Sequence, residues 1–298
     1  MIRIAVLIAS LAAAMVAPPA HAQLVRVFVS GHGDDSNPCT LAAPCRSFQQ
    51  AYDVVAASNP LGAEIEALDS AGYGALAIST SISIQGHGFA SIAQTSGAAD
   101  AIDINAGSSD TILLNGLLLD GEGAGRDGVF VNTAGSVQIV NCVIRHFSDA
   151  GIDYAPTNPP ILSVSNTIVS DNSAAGVFIS GAGSEPITLD AVTATNNTRG
   201  LEVLAGQVTV TNSKLSNNPT GLDLAGGQAM VKTSVLANDS IAGVNARGGV
   251  AWLAKSAIYG SAAGVAIAGG AVNSFGDNDF ANNGANVTGG SLGGTKPQ

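Results

Sequence analysis

A short motif recurs along this 298-residue chain at a nearly constant interval: a glycine followed by alternating aliphatic and other side chains. Successive motif glycines are 21 to 25 residues apart, which leaves no room for a helix between strands. Three short strands in each interval describe one coil of a parallel β-helix, whose coils stack about 4.8 Å apart. The motif glycines are Gly128, Gly151, Gly176, Gly200, Gly221, Gly243 and Gly264, and Ala101 begins an earlier copy that lacks the glycine.

Two other architectures fit this pattern less well. Leucine-rich repeats need a regular ladder of leucines, and β-sandwiches need hairpin turns such as Asn-Gly. Each coil here has a polar corner instead, where asparagine suits the left-handed backbone of a tight turn, followed by a small inward-facing residue. The predicted corner residues are Asn115, Asn141, Asn166, Asp190, Asn212, Thr233 and Lys255, and the small ones are Gly116, Cys142, Thr167, Ala191, Ser213, Ser234 and Ser256.

These features together resemble a known fold family. The glycine-led strand, the asparagine corner and the coil length are similar to the right-handed parallel β-helix of the pectin-lyase-like superfamily, over roughly residues 62–285. Residues 35–51 also resemble the N-terminal segment of uncharacterised exported bacterial β-helix proteins. The resemblance implies an all-β fold, a single-stranded right-handed parallel β-helix (solenoid) with a short N-terminal capping helix. It implies no single activity, because this fold hosts lyases, hydrolases, adhesins and binding proteins.

The ends of the chain predict processing and capping segments. Residues 1–22 combine a single basic residue, an apolar run and an Ala-His-Ala ending, which predict a signal peptide and a secreted or periplasmic protein. Residues 23–61 predict a strand, a disulfide loop and an amphipathic helix that begins at Ser47 and covers the open end of the stack. The β-helix is expected over 62–298, with a tail from Gly276 that frays.

The three cysteines fall into two groups. Cys39 and Cys45 lie six positions apart between two prolines, and an oxidising compartment favours a disulfide between them. A zinc site would need a second pair of ligands or a nearby histidine. Cys142 falls at an inward position, where cysteine usually serves as a small apolar side chain.

The charge balance excludes several classes of partner. Eleven basic residues stand against 22 acidic ones, for a formal net charge of -11. Nucleic acids and anionic membranes need a basic patch, so neither is expected to bind. The apolar run near the N-terminus is too short for a transmembrane helix, so we expect no membrane insertion.

One outward-facing column of residues is the strongest functional candidate. The middle residue of each glycine-led strand should point away from the core, so the coils stack these residues in a line. Carboxylates on neighbouring coils would be separated like the pair of a retaining glycosidase, and skipping a coil gives the wider inverting gap. Paired carboxylates also raise one pKa, which suits a general acid. The column is Asp103, Phe130, Asp153, Phe178, Glu202, Asp223, Asn245 and Ala266, with Arg247 facing out beside it.

Three interpretations of this column remain open: a merely solvated face, a binding surface for carbohydrate or calcium, and a catalytic site. Related polysaccharide lyases carry acidic calcium ligands and a basic residue on this sheet, although this chain has few cations to neutralise a polyuronate. We expect an exported protein that acts in surface or extracellular interaction through carbohydrate recognition, without a complete conventional catalytic set. The alternative is a polysaccharide hydrolase or lyase. The catalytic hypothesis assigns Glu202, Asp223, Asp153 and Arg247, and the binding hypothesis assigns Phe130, Phe178, Asp103 and Asn245.

No cofactor or structural metal is expected, and calcium is the one ion that the sequence leaves open. Asp120, Glu122 and Asp127 crowd one turn and offer oxygen ligands of the type that calcium prefers. A solvated acidic loop explains them as well. The remaining expected partner is a polysaccharide or a cell-surface glycan.

Overall fold

The computed structural model describes residues 25–57, 62–181 and 183–294. Within them every pairing between strands is parallel, and the chain winds through about 10 turns of a right-handed β-helix with one short helix near its N-terminus. The predicted fold class is therefore confirmed. The predicted signal peptide lies outside the described residues. No helix within them has the length and apolar character that crossing a membrane requires.

The motif glycines lie at or just before the strands of one ten-stranded sheet, called here the glycine-led sheet. At Gly200, an added Cβ would lie 2.7 Å from the backbone oxygen of Gly221 on the next coil. Glycine therefore recurs because the stacked backbones approach too closely for a side chain. The strands are Leu76–Ile78, Ile102–Asn105, Val129–Thr133, Ile152–Asn158, Ala175–Ile179, Arg199–Val203, Thr220–Leu224, Ala242–Ala246, Ala263–Ile267 and Ala285–Thr288.

The other two strands of each coil form a second sheet of nineteen strands, called here the wide sheet. Its first row consists of Val25–Val29, Ala63–Ala67, Ile82–Ala93, Thr111–Asp120, Ser136–Val140, Ile161–Ser165, Ile187–Asp190, Gln207–Thr211, Gln228–Lys232, Val250–Ala254, Ala271–Ser274 and Gly293–Gly294. Its second row consists of Val143–Arg145, Ile168–Ser170, Thr193–Thr195, Lys214–Ser216, Val235–Ala237, Ala257–Tyr259 and Asp279–Ala281. Inward-facing aliphatic side chains of both sheets fill the tube between them.

The predicted corner column is correct in five coils and displaced by one residue in two. The left-handed backbone falls on Asn141, Asn166, Asn212, Thr233 and Lys255 as expected. In the coils of Asn115 and Asp190 it falls one residue later, on Gly116 and Ala191. Asn115 pairs with Val140 and Asp190 with Thr211, the residues that precede the next corners, so Leu117 and Val192 take the buried positions predicted for Gly116 and Ala191.

The N-terminal segment caps the stack as predicted. Ser47 accepts a hydrogen bond from the backbone of Gln50 and begins the helix Phe48–Ala56, whose inward face packs on the first coils. Cys39 and Cys45 form the predicted disulfide. The strand Val25–Val29 pairs with Ala63–Ala67, so it already belongs to the wide sheet.

The segment after Gly276 departs from the expected frayed tail. It contributes the strands Asp279–Ala281, Ala285–Thr288 and Gly293–Gly294, each paired with the preceding coil. Most of its side chains are nevertheless exposed or half-buried, so these last strands cover little apolar surface.

Candidate functional site

The predicted column exists, in the predicted register. Cα pairing runs without interruption across neighbouring strands of the glycine-led sheet, because the motif glycine, or Ala101 in the earliest copy, fixes the same strand position in each of these coils. The paired residues are, in order, Asp103, Phe130, Asp153, Phe178, Glu202, Asp223, Asn245 and Ala266.

The sequence predicted that the whole column is exposed to solvent, but two residues in its C-terminal part are buried. Glu202 is only 9% exposed and Asp223 only 3%. Two arginines cover them. Arg199 begins the strand Arg199–Val203, which also carries Glu202, and Arg247 lies in the turn after the strand Ala242–Ala246. We call Arg199, Glu202, Asp223, Asn245 and Arg247 the paired cluster. The sequence predicted Arg247 beside the column but missed Arg199.

Both oxygens of Asp223 are engaged within the paired cluster. Arg199 Nε donates to Oδ2 at 2.8 Å, and Arg247 donates from Nε to Oδ1 at 2.8 Å and from Nη2 to Oδ2 at 2.7 Å. Asn245 Nδ2 donates to Oδ1 at 3.2 Å. With both oxygens engaged by these donors, Asp223 has little capacity left to contact a ligand.

Glu202 is held more loosely. Its nearest cationic nitrogens are Arg199 Nη1 at 3.4 Å and Arg247 Nη2 at 3.6 Å. Burial raises the pKa of Glu202, and the charge of Arg199 opposes that rise. Glu202 is therefore the carboxyl of this cluster whose chemistry remains available.

A second group of charges lies on the preceding coils and has a different balance. Arg126 donates from Nε to Asp100 Oδ1 at 2.8 Å, approaches Asp127 Oδ2 at 3.1 Å, and lies over the ring of Phe130 at 5.2 Å. Four carboxyl groups interact here with this single guanidinium, and the exposed Asp149 adds its negative charge to two of them, Asp127 and Asp153. The acidic cluster, as we define it, comprises Asp100, Asp103, Arg126, Asp127, Asp149 and Asp153.

Two aspartates of the acidic cluster have a raised pKa, chiefly because they are buried and also because their neighbours are negatively charged. Burial raises the pKa of Asp127 to about 7, against the hydrogen bond from the backbone of Ala150, and the charge of Asp153 adds to the rise. Burial and the charge of Asp149 raise the pKa of Asp153 to about 6. Oδ1 of Asp153 is shielded from solvent and has no hydrogen-bond partner.

A pocket of about 350 Å³ lies between the two clusters. Asp149 contributes from the acidic cluster, and Arg199 and Glu202 contribute from the paired cluster. Phe178 and Leu204, which is 41% exposed, supply apolar lining. A half-buried aromatic ring among carboxylates and a guanidinium suits a ligand with both apolar and hydroxyl-bearing faces.

A second pocket, of about 390 Å³, lies where the capping helix meets the first coils. Gln49 of the helix, Gln94, and the charged residues Asp100, Asp103 and Arg126 line it. The glycine-led sheet therefore has polar hollows on both sides of Phe130 and Asp153.

Arg199 was not predicted from the sequence, and Asp127 was predicted only as part of a calcium turn, although a signal was present for both. Each residue directly precedes a motif glycine, at Gly128 and Gly200, where most other coils have a small or uncharged side chain. Asp149 lies two residues before Gly151 and carries the same kind of signal. Arg199 begins its strand in register with Ala175 and Thr220, whereas Asp127 and Asp149 belong to turns, whose length varies between coils.

The acidic turn that was a calcium candidate is divided in the structure. Oδ1 of Asp120 accepts from the backbone of Glu122 at 3.0 Å and contacts His146 Nδ1 at 3.0 Å, and Oδ2 pairs with Arg145 at 2.9 Å. Asp127 belongs instead to the acidic cluster. Asp120 is thus occupied by protein donors.

Comparison with known proteins gives one family and several structures of the same fold. Residues 75–293 match the family described as "Periplasmic copper-binding protein (NosD)". No curated protein matches the sequence. Pectate lyase Pel9A is similar in structure, with 15% identity, a TM-score of 0.64, and coverage of 92% of this chain and 78% of that one.

Two further structures share the fold. The A-module of the mannuronan C-5 epimerase AlgE4 from Azotobacter vinelandii has 13% identity and a TM-score of 0.50, with coverage of 84% of this chain and 94% of that one. ORF18 of Geobacillus virus E2 has 12% identity and a TM-score of 0.51, with coverage of 88% and 60%. At such identities the likeness shows the fold alone.

The family's description mentions copper, but the described residues contain no set of side chains suited to bind it. They contain no group of three or more His, Cys, Asp or Glu side chains that could hold a metal ion. Copper favours thiolate, thioether or imidazole ligands. The thiol of Cys142 is buried and donates to the backbone oxygen of Val140, and burial raises its pKa to about 11. The described residues therefore do not fit copper.

Proposed function

The chain belongs to the family described as periplasmic copper-binding protein (NosD), and from that premise we propose that it is an exported β-helix protein that binds a polysaccharide along its glycine-led sheet. The observation that carries this proposal is the pocket in which the ring of Phe178 lies among Asp149, Arg199 and Glu202. Sugar rings present an apolar face for an aromatic ring and hydroxyl groups for carboxylates and guanidinium groups.

The geometry of the sheet supports a polymeric ligand. Phe130 and Phe178 occupy the same strand position two coils apart, which is roughly 10 Å along the solenoid. Solenoids of stacked repeats commonly bind extended ligands along one face. A polysaccharide chain lying along the stack would meet one ring, then Asp153, then the other ring.

The comparisons support both parts of the proposal. Two proteins of the same fold are a pectate lyase and a mannuronan epimerase, which their names connect with polysaccharides. The family's description is of periplasmic proteins, which supports the export that residues 1–22 predict.

Binding experiments with a matched pair of variants test the proposal. Phe178→Ala removes the ring from the pocket, and we expect it to weaken binding of the recognised oligosaccharide about tenfold, equivalent to about 1.4 kcal/mol. Phe89→Ala is the control, because Phe89 is 38% exposed and lies in Ile82–Ala93 of the wide sheet. Glycan-array screening followed by calorimetry measures both. Equal affinities of the two variants would remove the Phe178 pocket from the proposal.

A second candidate function rests on Asp153 and Glu202. These two carboxyls flank Phe178 on either side, and both have a raised pKa. A protonated carboxyl and an ionised one separated by an intervening coil have the arrangement of an inverting glycoside hydrolase. Asp223 suits the catalytic pair less well, because the two arginines occupy both of its oxygens.

Product release from a panel of polysaccharides tests this alternative. If the protein is a hydrolase, Asp153→Asn and Glu202→Gln should each abolish release of reducing ends, and the Phe89→Ala control should not. Release that persists in both carboxyl variants excludes this pair as the catalytic residues.

A further inference from the structure

The charged side chains on the glycine-led sheet indicate which charge the polysaccharide carries. We infer, on the basis of the proposed function, that the polysaccharide carries positively charged amino groups, as a deacetylated amino-sugar polymer does. The proposal concerns the surface formed by the acidic cluster, the Phe178 pocket and the paired cluster.

The cations on this surface are already matched to carboxylates. Arg126 pairs with Asp100 and Asp127, and Arg199 and Arg247 both pair with Asp223. An anionic sugar would have to displace one of these internal pairs to obtain a counter-charge. It would also meet Asp149 and Glu202 in the Phe178 pocket. Uronate-type polymers are therefore disfavoured on electrostatic grounds.

The carboxylates, by contrast, outnumber their counter-charges. The acidic cluster contains one arginine and five carboxyl groups, whereas the paired cluster has two of each sign. Asp149 is exposed at the wall of the Phe178 pocket. Its charge acts on Asp127, Asp153 and Glu202 alike. A ligand ammonium near Asp149 would therefore interact favourably with several carboxylates at once.

Asp153 is the residue at which the excess negative charge lies next to the aromatic rings. It lies between Phe130 and Phe178 in the column, and its Oδ1 has no hydrogen-bond partner. Because Oδ1 is shielded from solvent, Asp153 would act through its charge, which attracts an ammonium group lying over the neighbouring ring faces, and those faces also attract cations. The raised pKa of Asp153 agrees with this, because it reflects burial and negative neighbours that one arginine only partly offsets.

Three hexasaccharides with different charges test the inference: fully deacetylated glucosamine hexamer, its N-acetylated form, and an oligogalacturonate of the same length. Calorimetry with the full exported chain at pH 6 should show the cationic hexamer binding at least tenfold more tightly than the neutral one. Added salt should weaken the cationic complex selectively. The oligogalacturonate should not bind, with calcium chloride or with a chelator.

Two aspartate variants and one control locate the effect. Asp149→Asn and Asp153→Asn should each weaken binding of the cationic hexamer several-fold, and by a larger factor than they weaken binding of the neutral hexamer. Asp279→Asn, at an exposed acidic residue of the wide sheet, should change neither. Asp149 is exposed and neither substitution changes side-chain volume appreciably, so both variants should fold, which a thermal melt verifies.

The outcomes separate the inference from the proposed function. If the neutral hexamer binds as tightly as the cationic one, the charge inference is overturned and polysaccharide binding stands. If the oligogalacturonate binds most tightly, alone or through calcium, the inference is likewise overturned. If no saccharide binds at all, the proposed function fails and the inference fails with it.

Discussion

The acidic and paired clusters occupy the same strand position on neighbouring parts of one sheet, yet they manage negative charge in opposite ways. In the acidic cluster, column aspartates alternate with phenylalanines, so Asp103 and Asp153 lie two coils apart with Phe130 between them. In the paired cluster, Glu202 and Asp223 lie on adjacent coils, and two arginines cover them.

This difference follows from the solenoid itself. Stacking places equivalent positions about 4.8 Å apart, where like charges destabilise neighbouring strands. A chain that keeps carboxylates in such a column must either space them or neutralise them. The paired cluster has equal numbers of acidic and basic side chains, whereas the acidic cluster spaces its column aspartates and is only partly neutralised by Arg126.

The largest expected effect comes from removing the neutralising arginines. The double variant Arg199→Ala with Arg247→Ala leaves Asp223 and Glu202 adjacent, buried and without a counter-charge. We expect the free energy of unfolding to fall by about 2–4 kcal/mol, since a stranded buried carboxylate is costly even where its partners were partly exposed. Urea denaturation at pH 7 measures the change.

Arg145→Ala provides the control for that variant. Arg145 pairs with Asp120 at 2.9 Å on the wide sheet, where the carboxylate is more exposed. Its loss should cost less than about 1 kcal/mol. A similar cost for both variants would mean that the paired cluster is no more than a surface ion pair.

We expect an intermediate effect on stability at Asp239, whose pKa is raised by burial and not by a neighbouring charge. Asp239 is 1% exposed and continues a buried row of asparagines. In that row Asn197 and Asn218 donate through Nδ2 to backbone oxygens, whereas Asp239 Oδ2 has no partner. Burial raises the pKa of Asp239 to about 8, against the hydrogen bonds from Asn218.

Because this folded-state pKa lies above that of the unfolded chain, the stability associated with Asp239 is complete below about pH 4 and is lost as the pH rises through about 8. Asp239→Asn should therefore stabilise the protein at pH 9 by about 1–3 kcal/mol and much less at pH 4. Thermal melts across this range measure the gain. Asp190→Asn should give no such gain, because hydrogen bonds from Thr211 and Asn212 lower the pKa of Asp190.

The smallest of the three effects is expected within the acidic cluster. The pKa of Asp153, raised to about 6, means that stability falls as the pH rises from about 4 through 6. Asp153→Asn should remove this loss and stabilise the free protein by about 1 kcal/mol at pH 7. Denaturation curves at pH 4 and pH 7 show it. If Asp153→Asn destabilises the protein at pH 7, the carboxylate of Asp153 stabilises the fold, as we expect for Asp223, and the prediction is wrong.

The sequence predicted the column but not its surroundings. The residues from Phe130 to Asn245 were aligned correctly because a glycine marks the same backbone position in each of their coils, and Asp103 was aligned by strand alternation alone. Strand alternation predicts that all of them are exposed, because it gives the direction of a side chain but not the neighbours that cover it. Arg199, at the start of a strand, covers Glu202 and Asp223, and Asp127, from a turn, adds a carboxyl group beside Asp153.

The chain by itself determined the parallel solenoid, the inward and outward sides of each strand and the Cys39–Cys45 bridge, because these follow from local periodicity and short spacing. Only the folded molecule decided that Asp223 is enclosed between Arg199 and Arg247 while Oδ1 of Asp153 has no partner. Charge compensation depends on distances between residues about 25 positions apart, and turns of variable length set those distances.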